Sequence, residues 1–245
     1  MAKCWYSSLG LELGSDVTLE QLQAIKLYNT RISFEDGKWT LSFSREVDPQ
    51  PTKLNDYSVG IDLGVKTLAV VSCDGKFYKT KNINKSHKVR RLEKQLKRRQ
   101  RALSRKQKGS NRVKARLKVA KTYSELRNIR RNHLRQTTRK IVNLLSQRIV
   151  LEDLNVQGML KNNHLAKAIS EQNFYEFRRQ IDYKSKMQGT KIILADRFFP
   201  SSKLCSNCGS KKDKLLLSER TYKCPVCGFE LDRDENAARN LEKVV

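Results

Sequence analysis

Four cysteines near the C-terminus constrain the fold of this chain more tightly than any other feature. They form two Cys-x-x-Cys pairs separated by fifteen residues, Cys205 with Cys208 and Cys224 with Cys227. This spacing can bring four thiolates around one ion, and four protein ligands leave no position open for a substrate. We therefore expect a zinc ribbon over residues 201–228 with one structural Zn²⁺ ion. An iron or redox site is the alternative interpretation of the same pattern.

Positive charge is concentrated in one segment of the chain. The protein has 51 Lys and Arg residues against 25 Asp and Glu, a formal net charge of +26. Between Lys79 and Lys140 there are 25 basic residues and two acidic ones. A solvated pair of charged helices would mix both signs, so this imbalance favours contact with the phosphates of a nucleic acid, with little base preference. The residues expected to make these contacts are Arg90, Arg91, Lys94, Lys97, Arg98, Arg101, Arg105, Lys114, Arg116 and Lys118.

Three acidic residues stand at positions where burial of an acid is costly. Asp62 lies near the end of the apolar run VGIDLG, Glu152 ends the run IVLE, and Asp234 lies in LDRDENAARN before a predicted C-terminal helix. A buried carboxylate needs a compensating cation. If the three carboxylates meet, two Mg²⁺ ions would relieve their repulsion, with Mn²⁺ as a possible substitute. Such a site could hydrolyse phosphodiesters without a covalent intermediate.

Each acid has other interpretations when it is taken singly. Asp62 could be a solvated strand end, or it could belong to the phosphate loop of an actin-like or sugar-kinase ATPase, which also uses a GIDLG-like strand. Asp153, which follows Glu152, should point to the opposite face of its strand. Asp232 could cap a helix or pair with a basic residue. Because Asp232 lies two residues from Asp234, either could be the ligand.

The spacing of apolar residues predicts an α/β fold, a mixed sheet flanked by helices. Helical spacing predicts two antiparallel basic helices, broken at Lys108–Asn111, with Val113 and Leu117 on the apolar stripe of the second. It also predicts one helix over Ala166–Met187 and a terminal helix from about Glu235. The predicted strands are an antiparallel meander of Ser58–Leu63, Thr67–Cys73 and Lys76–Thr80, followed by the buried strands Arg148–Asp153 and Lys191–Ala195.

A β-hairpin is predicted near the N-terminus. Apolar and polar residues alternate over Thr30–Val47 on either side of the dipeptide Asp36-Gly37, which favours a two-residue turn. Two strands of this size cannot stand alone and must pack on another part of the protein. Pro49 and Pro51 then mark a boundary before the next domain.

Four blocks of sequence together resemble one known family. VGIDLGVKTLAVV, VLEDLNVQGM, RFFPSSKLCSNCG and YKCPVCGFELDRDENAARN are similar to the three RuvC motifs and inserted zinc ribbon of TnpB proteins. These are transposon-encoded RNA-guided endonucleases, related to type V CRISPR effectors and eukaryotic Fanzor proteins. The resemblance, from about Arg31 to the C-terminus, implies that Asp62, Glu152 and Asp234 are the catalytic, Mg²⁺-binding acids.

The same resemblance implies a domain organisation. We expect a residual wedge-type β region over residues 1–55 and an RNase H-like (RuvC) nuclease domain over residues 56–200 and 229–245. The nuclease domain would carry a basic helical hairpin insertion over residues 81–140, and the zinc ribbon over residues 201–228 would be inserted in it. Family members are usually considerably longer at the N-terminus, so a truncated chain is expected.

The implied function is a transposon-associated endonuclease that hydrolyses DNA, with a guide RNA as its partner. The alternative is a truncated, catalytically incompetent remnant that still binds nucleic acid. No apolar run approaches the roughly 18 to 20 residues that cross a bilayer, so no membrane partner is expected. We expect the protein in the cytoplasm, associated with the nucleoid of a prokaryote. The sequence does not predict its oligomeric state.

Overall fold

The computed structural model describes residues 26, 28–35, 37–44, 46, 52–216 and 218–244. The chain divides into two compact units, Met1–Pro49 and Gln50–Val245. Pro49 and Pro51, which we expected to mark a boundary, lie outside the described residues. Among the residues that are described, no helix is both long and apolar enough to cross a membrane.

The first unit contains the predicted hairpin. Strand β1 (Tyr28–Glu35) pairs antiparallel with β2 (Lys38–Ser44), and the rings of Phe34 and Trp39 lie side by side with centroids 4.9 Å apart. Gly37 in the turn has a φ of 80°, in the left-handed region that a two-residue hairpin turn requires. The hairpin prediction is confirmed, although Asp36 itself lies outside the described residues.

The second unit is built on a five-stranded mixed sheet with β3 at its centre. Its strands are β3 (Asn55–Leu63), β4 (Ala69–Cys73), β5 (Lys76–Lys79), β6 (Ser146–Glu152) and β7 (Lys191–Ala195), in the order β5-β4-β3-β6-β7. The first three form the predicted antiparallel meander, whereas β3, β6 and β7 run parallel. The expectation that β7 is buried is wrong. Among the described strands it pairs with β6 alone, at the edge of the sheet, and Leu194 is 39% exposed.

Two basic helices form the predicted antiparallel hairpin, α1 (His87–Ser104) and α2 (Ser110–Val142). Ser86 caps the first of them, because its hydroxyl accepts a hydrogen bond from the backbone N–H of Val89. At the base of the hairpin, Val89 and Leu92 pack against Leu126 in a small buried cluster. These contacts hold the two helices together near the base of the hairpin.

The apolar stripe of α2 differs from the prediction. Val113 and Leu117 do not pack and are 59% and 42% exposed, because their neighbours at the tip of the hairpin are mostly charged. The buried residues of α2 begin at Thr122, and toward its C-terminal end Leu134 and Ile141 join the main core. The start of α2, around Val113 and Leu117, is therefore exposed.

The single helix predicted over Ala166–Met187 is in fact two. Asn173 has a φ of 56°, a left-handed conformation that asparagine tolerates better than most residues, and the helix breaks there. The break allows Ile169 before it and Phe177 after it to enter the same core. The helices between β6 and β7 are α3 (Val156–Leu160), α4 (Asn163–Gln172) and α5 (Phe174–Gln188).

The last helix, α6 (Arg233–Glu242), begins slightly earlier than predicted and packs against β3, β4 and β6. Its backbone comes unusually close to β3 at Gly60. A Cβ at this glycine would lie 2.0 Å from the carbonyl oxygen of Ala238 and 2.3 Å from the backbone nitrogen of Glu242. The absence of a side chain at Gly60 therefore sets the distance between the sheet and α6.

Candidate functional site

Three acidic residues lie around one cavity where the parallel strands β3 and β6 end. The register pairs Ile61 with Leu151, so the next residues of the two strands, Asp62 and Glu152, lie side by side on one face. Asp234 lies in the first turn of α6, rather than before the helix as expected. Asp62, Glu152 and Asp234 line one cavity of about 820 Å³. The structure thus brings together three residues that are far apart in the sequence.

The electrostatics of this cluster are unfavourable without a cation. Burial raises the pKa of the Asp62 carboxyl well above its usual range, and the nearby charges of Glu152 and Asp234 raise it further, against a smaller opposing effect of Arg233. Burial also raises the pKa of Glu152, while a hydrogen bond from Ser201 lowers it in part. Oxygen ligands that repel one another at the end of a sheet suit a hard divalent cation. The donor set therefore fits Mg²⁺ or Mn²⁺.

The two neighbouring acids are engaged elsewhere. The carboxylate of Asp232 caps α6 by accepting hydrogen bonds from the backbone N–H groups of Asp234 and Glu235, at 3.0 and 3.3 Å. It also lies 3.2 Å from the ammonium of Lys79. Asp153, the residue after β6, binds Arg197 at 2.6 Å and Arg178 at 3.2 Å. Asp234 is therefore a better candidate ligand than Asp232.

The sequence did not identify Ser201, whose hydroxyl donates a hydrogen bond to the carboxylate of Glu152. Ser201 follows β7, and the segments after parallel strands meet at the same edge of a sheet. That rule could have drawn attention to the block RFFPSS. The hydroxyl leaves the second oxygen of Glu152 available to a cation and restricts the rotation of its side chain.

Two buried asparagines of α6 hold the segment that follows Ser201. The side-chain nitrogen of Asn240 donates to the carbonyl oxygens of Ser201 and Leu204, at 2.7 and 2.8 Å. Asn236 donates to Leu204 at 2.7 Å and accepts from the backbone N–H of Ser206 at 3.0 Å. We call Asn236 and Asn240 the asparagine clamp. Nothing in the sequence pattern distinguished these two residues from surface amides.

The four cysteine sulfurs also converge, and all lie within 4.8 Å of one another. The sulfurs of Cys205 and Cys227 are 3.7 Å apart, and those of Cys208 and Cys224 are 3.6 Å apart. In a tetrahedral site with metal–sulfur bonds of about 2.3 Å, the sulfurs would be separated by roughly 3.8 Å. The geometry therefore fits one tetrahedral metal ion.

The cysteine cluster is joined directly to the helix that carries Asp234. Strand β8 (Thr221–Lys223) leads to the second cysteine pair and pairs antiparallel with β9 (Glu230–Asp232). Tyr222 in β8 is fully buried against Cys205 and Cys224. Since β9 ends at Asp232 and α6 begins at Arg233, no linker separates the strand pair of the cysteine cluster from the helix that carries Asp234.

The ten basic residues predicted to contact nucleic acid all lie on the helical hairpin, and all are exposed. Arg90, Lys94 and Lys97 of α1 line a cleft of about 1080 Å³ between the hairpin and the helices α4 and α5. The other seven lie on parts of the hairpin that do not line this cleft. The ten residues therefore divide into three that line the cleft and seven that do not.

Comparison with known proteins gives matches along most of the chain. A family model described as "Probable transposase" (OrfB_IS605) matches residues 42–163, and one described as "Cas12f1-like, TNB domain" matches residues 174–241. A Streptomyces pristinaespiralis protein named "Putative RNA-guided DNA endonuclease" is 40% identical over 206 residues, which cover 84% of this chain and 49% of the relative. The Escherichia coli K12 protein "Putative RNA-guided DNA endonuclease InsQ" is 33% identical, over 87% of this chain and 55% of the relative.

The fold resembles that of a solved structure described as "Cryo-EM structure of the Cas12f1-sgRNA-target DNA complex". The TM-score is 0.55 at 19% identity, and the match covers 86% of this chain and 55% of that chain. At this identity the likeness concerns the fold alone. The chain spans about half the length of the curated relatives it matches.

Proposed function

Because the chain belongs to the TnpB family, we propose that it forms the nuclease portion of a transposon-associated, RNA-guided DNA endonuclease. The observation that carries this proposal is the convergence of Asp62, Glu152 and Asp234 in one cavity, where their repulsion needs divalent cations. An RNase H-like (RuvC) nuclease domain over residues 56–200 and 229–245 is consistent with a mixed sheet whose parallel strands end at these acids. The names of the relatives support the choice of DNA as substrate and of a guide RNA as partner.

In the proposed mechanism the protein supplies fixed oxygen ligands and a shaped cavity. Two divalent cations, when bound, would orient the phosphodiester, activate a water molecule and stabilise the leaving oxygen. Both of the other acids, Glu152 and Asp234, act on the charge of Asp62 and raise its pKa. Ser201 holds Glu152 in place, and the cap of α6 by Asp232 fixes the helical turn that carries Asp234. No protein side chain needs to act as a nucleophile.

The ATPase alternative has less support. A phosphate loop presents backbone N–H groups and positive charge to the phosphates. Here the end of β3 faces two further carboxylates, Glu152 and Asp234, which would repel a phosphate in the absence of cations. The matched relatives are also named for nucleic-acid cleavage.

We further propose that the four cysteines bind one structural Zn²⁺ ion in a ribbon over residues 201–228. We expect one zinc per chain in purified protein, and we expect Cys224→Ser to lose the metal and to lower the melting temperature. Elemental analysis and thermal unfolding measure both effects. Removal of a structural metal costs folding free energy, because such sites rarely form without the ion.

Cys73→Ser is the matched control for this experiment, since Cys73 is buried in β4 and outside the cluster. It should retain full zinc content whatever its effect on stability. Iron in the purified protein, or full zinc content in Cys224→Ser, would contradict the assignment.

Guided cleavage can be tested by purification of the protein from its native host and sequencing of the bound RNA. We expect one discrete RNA species, and we expect the complex to cut DNA that matches a segment of it in the presence of Mg²⁺. DNA with a scrambled segment is the control. A random mixture of RNAs with salt-sensitive binding and no cleavage would instead favour the binding remnant.

A further inference from the structure

The cleft between the helical hairpin and the helices α4 and α5 has features that phosphate binding alone does not explain. Its volume of about 1080 Å³ is at the upper limit of small-molecule pockets, and its lining is charged where such pockets are mostly apolar. The basic side chains in it outnumber the acidic ones by eight to three. The cleft therefore fits an extended polyanion better than a metabolite.

The three acids of the cleft are neutralised by basic side chains within it. Arg130 lies 2.9 Å from the carboxylate of Glu93 and 3.2 Å from that of Glu171. Arg179 binds Glu176 at 2.7 Å. Lys167 also lies 3.5 Å from Glu171, so three basic side chains pair with the three acids, and the other basic residues of the lining include Arg90, Lys94 and Lys97 on α1. A polyanion in the cleft would therefore meet a net positive charge.

Two tyrosines in the cleft are exposed to an unusual degree. Tyr123 of α2 is 61% exposed and Tyr175 of α5 is 74% exposed, and they lie on opposite walls. Large aromatic rings that remain in water inside a basic groove are a feature of proteins that bind unpaired bases, because each base offers a flat face for stacking. The bases of a duplex are already stacked on one another and do not offer these faces.

Tyr175 also connects the cleft to the cluster of acids. It lines a second, smaller cavity of about 270 Å³, and Glu152 lines the same cavity. Glu171 in turn lines both the cleft and the cavity that holds the three acids. A strand that leaves the cleft past Tyr175 would therefore arrive beside Glu152.

We propose that this cleft binds single-stranded nucleic acid, with unpaired bases stacked on Tyr123 and Tyr175 and phosphates on Arg90, Lys94 and Lys97. Only the direction of the strand toward the acids rests on the proposed nuclease function. The binding itself requires neither cations nor cleavage. RNA and DNA share the flat bases and the phosphates that the cleft recognises, so the test includes both.

The test measures fluorescence anisotropy of labelled oligonucleotides of about 12 nucleotides with the full chain, purified with its metal content intact, in a buffer without Mg²⁺ and without a chelator. We expect single-stranded RNA, single-stranded DNA or both to bind at least about tenfold more tightly than a duplex of the same length. Tyr175→Ala and Tyr123→Ala should each weaken single-strand binding by roughly 5- to 100-fold, which corresponds to one stacked base. Tyr175→Phe should retain wild-type affinity because phenylalanine keeps the ring.

Tyr78→Ala is the matched control, since Tyr78 is 46% exposed on β5 and lines none of the three cavities. Its affinity should equal that of the wild type. A change of Lys94 and Lys97 to glutamine should reduce the slope of log K against log salt concentration by about 0.7 for each charge removed. The tyrosine variants should leave this slope unchanged. Thermal unfolding of each variant separates loss of binding from loss of fold.

A preference for RNA over DNA, or the reverse, supports the cleft and identifies its ligand, and equal binding supports recognition of the shared chemistry. Duplex binding as tight as single-strand binding would overturn the proposal, as would unchanged affinity in both alanine variants. A protein that binds single strands as described but never cuts DNA would overturn the nuclease function and leave the cleft assignment intact.

Discussion

Replacement of Asp62 by asparagine is expected to reduce Mg²⁺-dependent DNA cleavage by about a thousandfold or more. Asparagine keeps the shape of the side chain but removes the charge on which both Glu152 and Asp234 act. A cation shared by these ligands contributes several kcal/mol to the transition state, and each 1.4 kcal/mol corresponds to about a factor of ten in rate. Single-turnover cleavage with saturating guide RNA measures the effect on the chemical step.

The same substitution should make the metal-free protein more stable. The pKa of Asp62 is raised in the folded state, so its ionisation costs more there than in the unfolded chain. The stability of the metal-free wild type should therefore fall as the pH rises from the ordinary range of an aspartate through the raised pKa, and then level off. Asp62→Asn should lose part of this dependence and melt at a higher temperature near neutral pH.

Asp56→Asn is the control for this variant, because Asp56 lies on the same strand but is exposed and lines none of the three cavities. It should leave cleavage unchanged. Mg²⁺ should raise the melting temperature of the wild type more than that of Asp62→Asn. Cleavage by Asp62→Asn at the wild-type rate would mean that the acids have another role.

Gly60→Ala is expected to destabilise the fold and to impair cleavage together. In an open strand this change would stabilise a protein by up to about 1 kcal/mol, because alanine restricts the unfolded chain. Here the new methyl group would meet the backbone of α6 at 2.0 Å, so helix and sheet must separate. Overpacking of this kind typically costs about 1–3 kcal/mol, and more where backbone must move.

The loss of cleavage in Gly60→Ala should exceed what its stability explains. Asp62 lies on β3 and Asp234 on α6, so any separation at Gly60 pulls two of the acids apart. A displacement of about 1 Å at a catalytic group can cost a factor of about 100 in rate. Cleavage measured well below the melting temperature, beside unfolding in denaturant, distinguishes the two effects.

Gly158→Ala serves as the control, because the three atoms nearest to its Cβ belong to the side chain of Asn155 and none of them to backbone. That side chain caps α3 by accepting a hydrogen bond from the backbone N–H of Gly158 at 2.9 Å, so its displacement should cost about 0.5–2 kcal/mol and leave cleavage intact. If Gly60→Ala were as stable and active as this control, the close approach of α6 would have no functional consequence.

Local patterns in the sequence predicted which segments form strands and helices better than they predicted which residues are buried. The alternation around Asp36-Gly37 predicted the hairpin, and apolar runs predicted the central strands β3 and β6, because these signals depend on neighbouring residues. The break at Asn173 was missed, since the helical pattern continues across it and only the packing of Ile169 and Phe177 explains it. The exposure of Val113 was missed because the sequence does not say what covers a residue.

The candidate site divides in the same way. The three acids and the four cysteines could be selected because their residue types are costly or unusual at those positions. The asparagine clamp could not, and the rule on the ends of parallel strands indicates only the block that contains Ser201, since these roles depend on contacts that only the folded chain forms. Serine and asparagine are also common on surfaces, so their types carry little information.

The asparagine clamp couples the affinities of the cysteine cluster and of the three acids for their metal ions. One segment, from Ser201 to Ser206, donates to Glu152 at its start, leads into the first cysteine pair, and is held by the helix that bears Asp234. An ion bound at the cysteines would order this segment. The acids would then lose less conformational entropy when they bind their own cations. Linkage then requires the effect to be mutual, so each site should tighten the affinity of the other by the same factor.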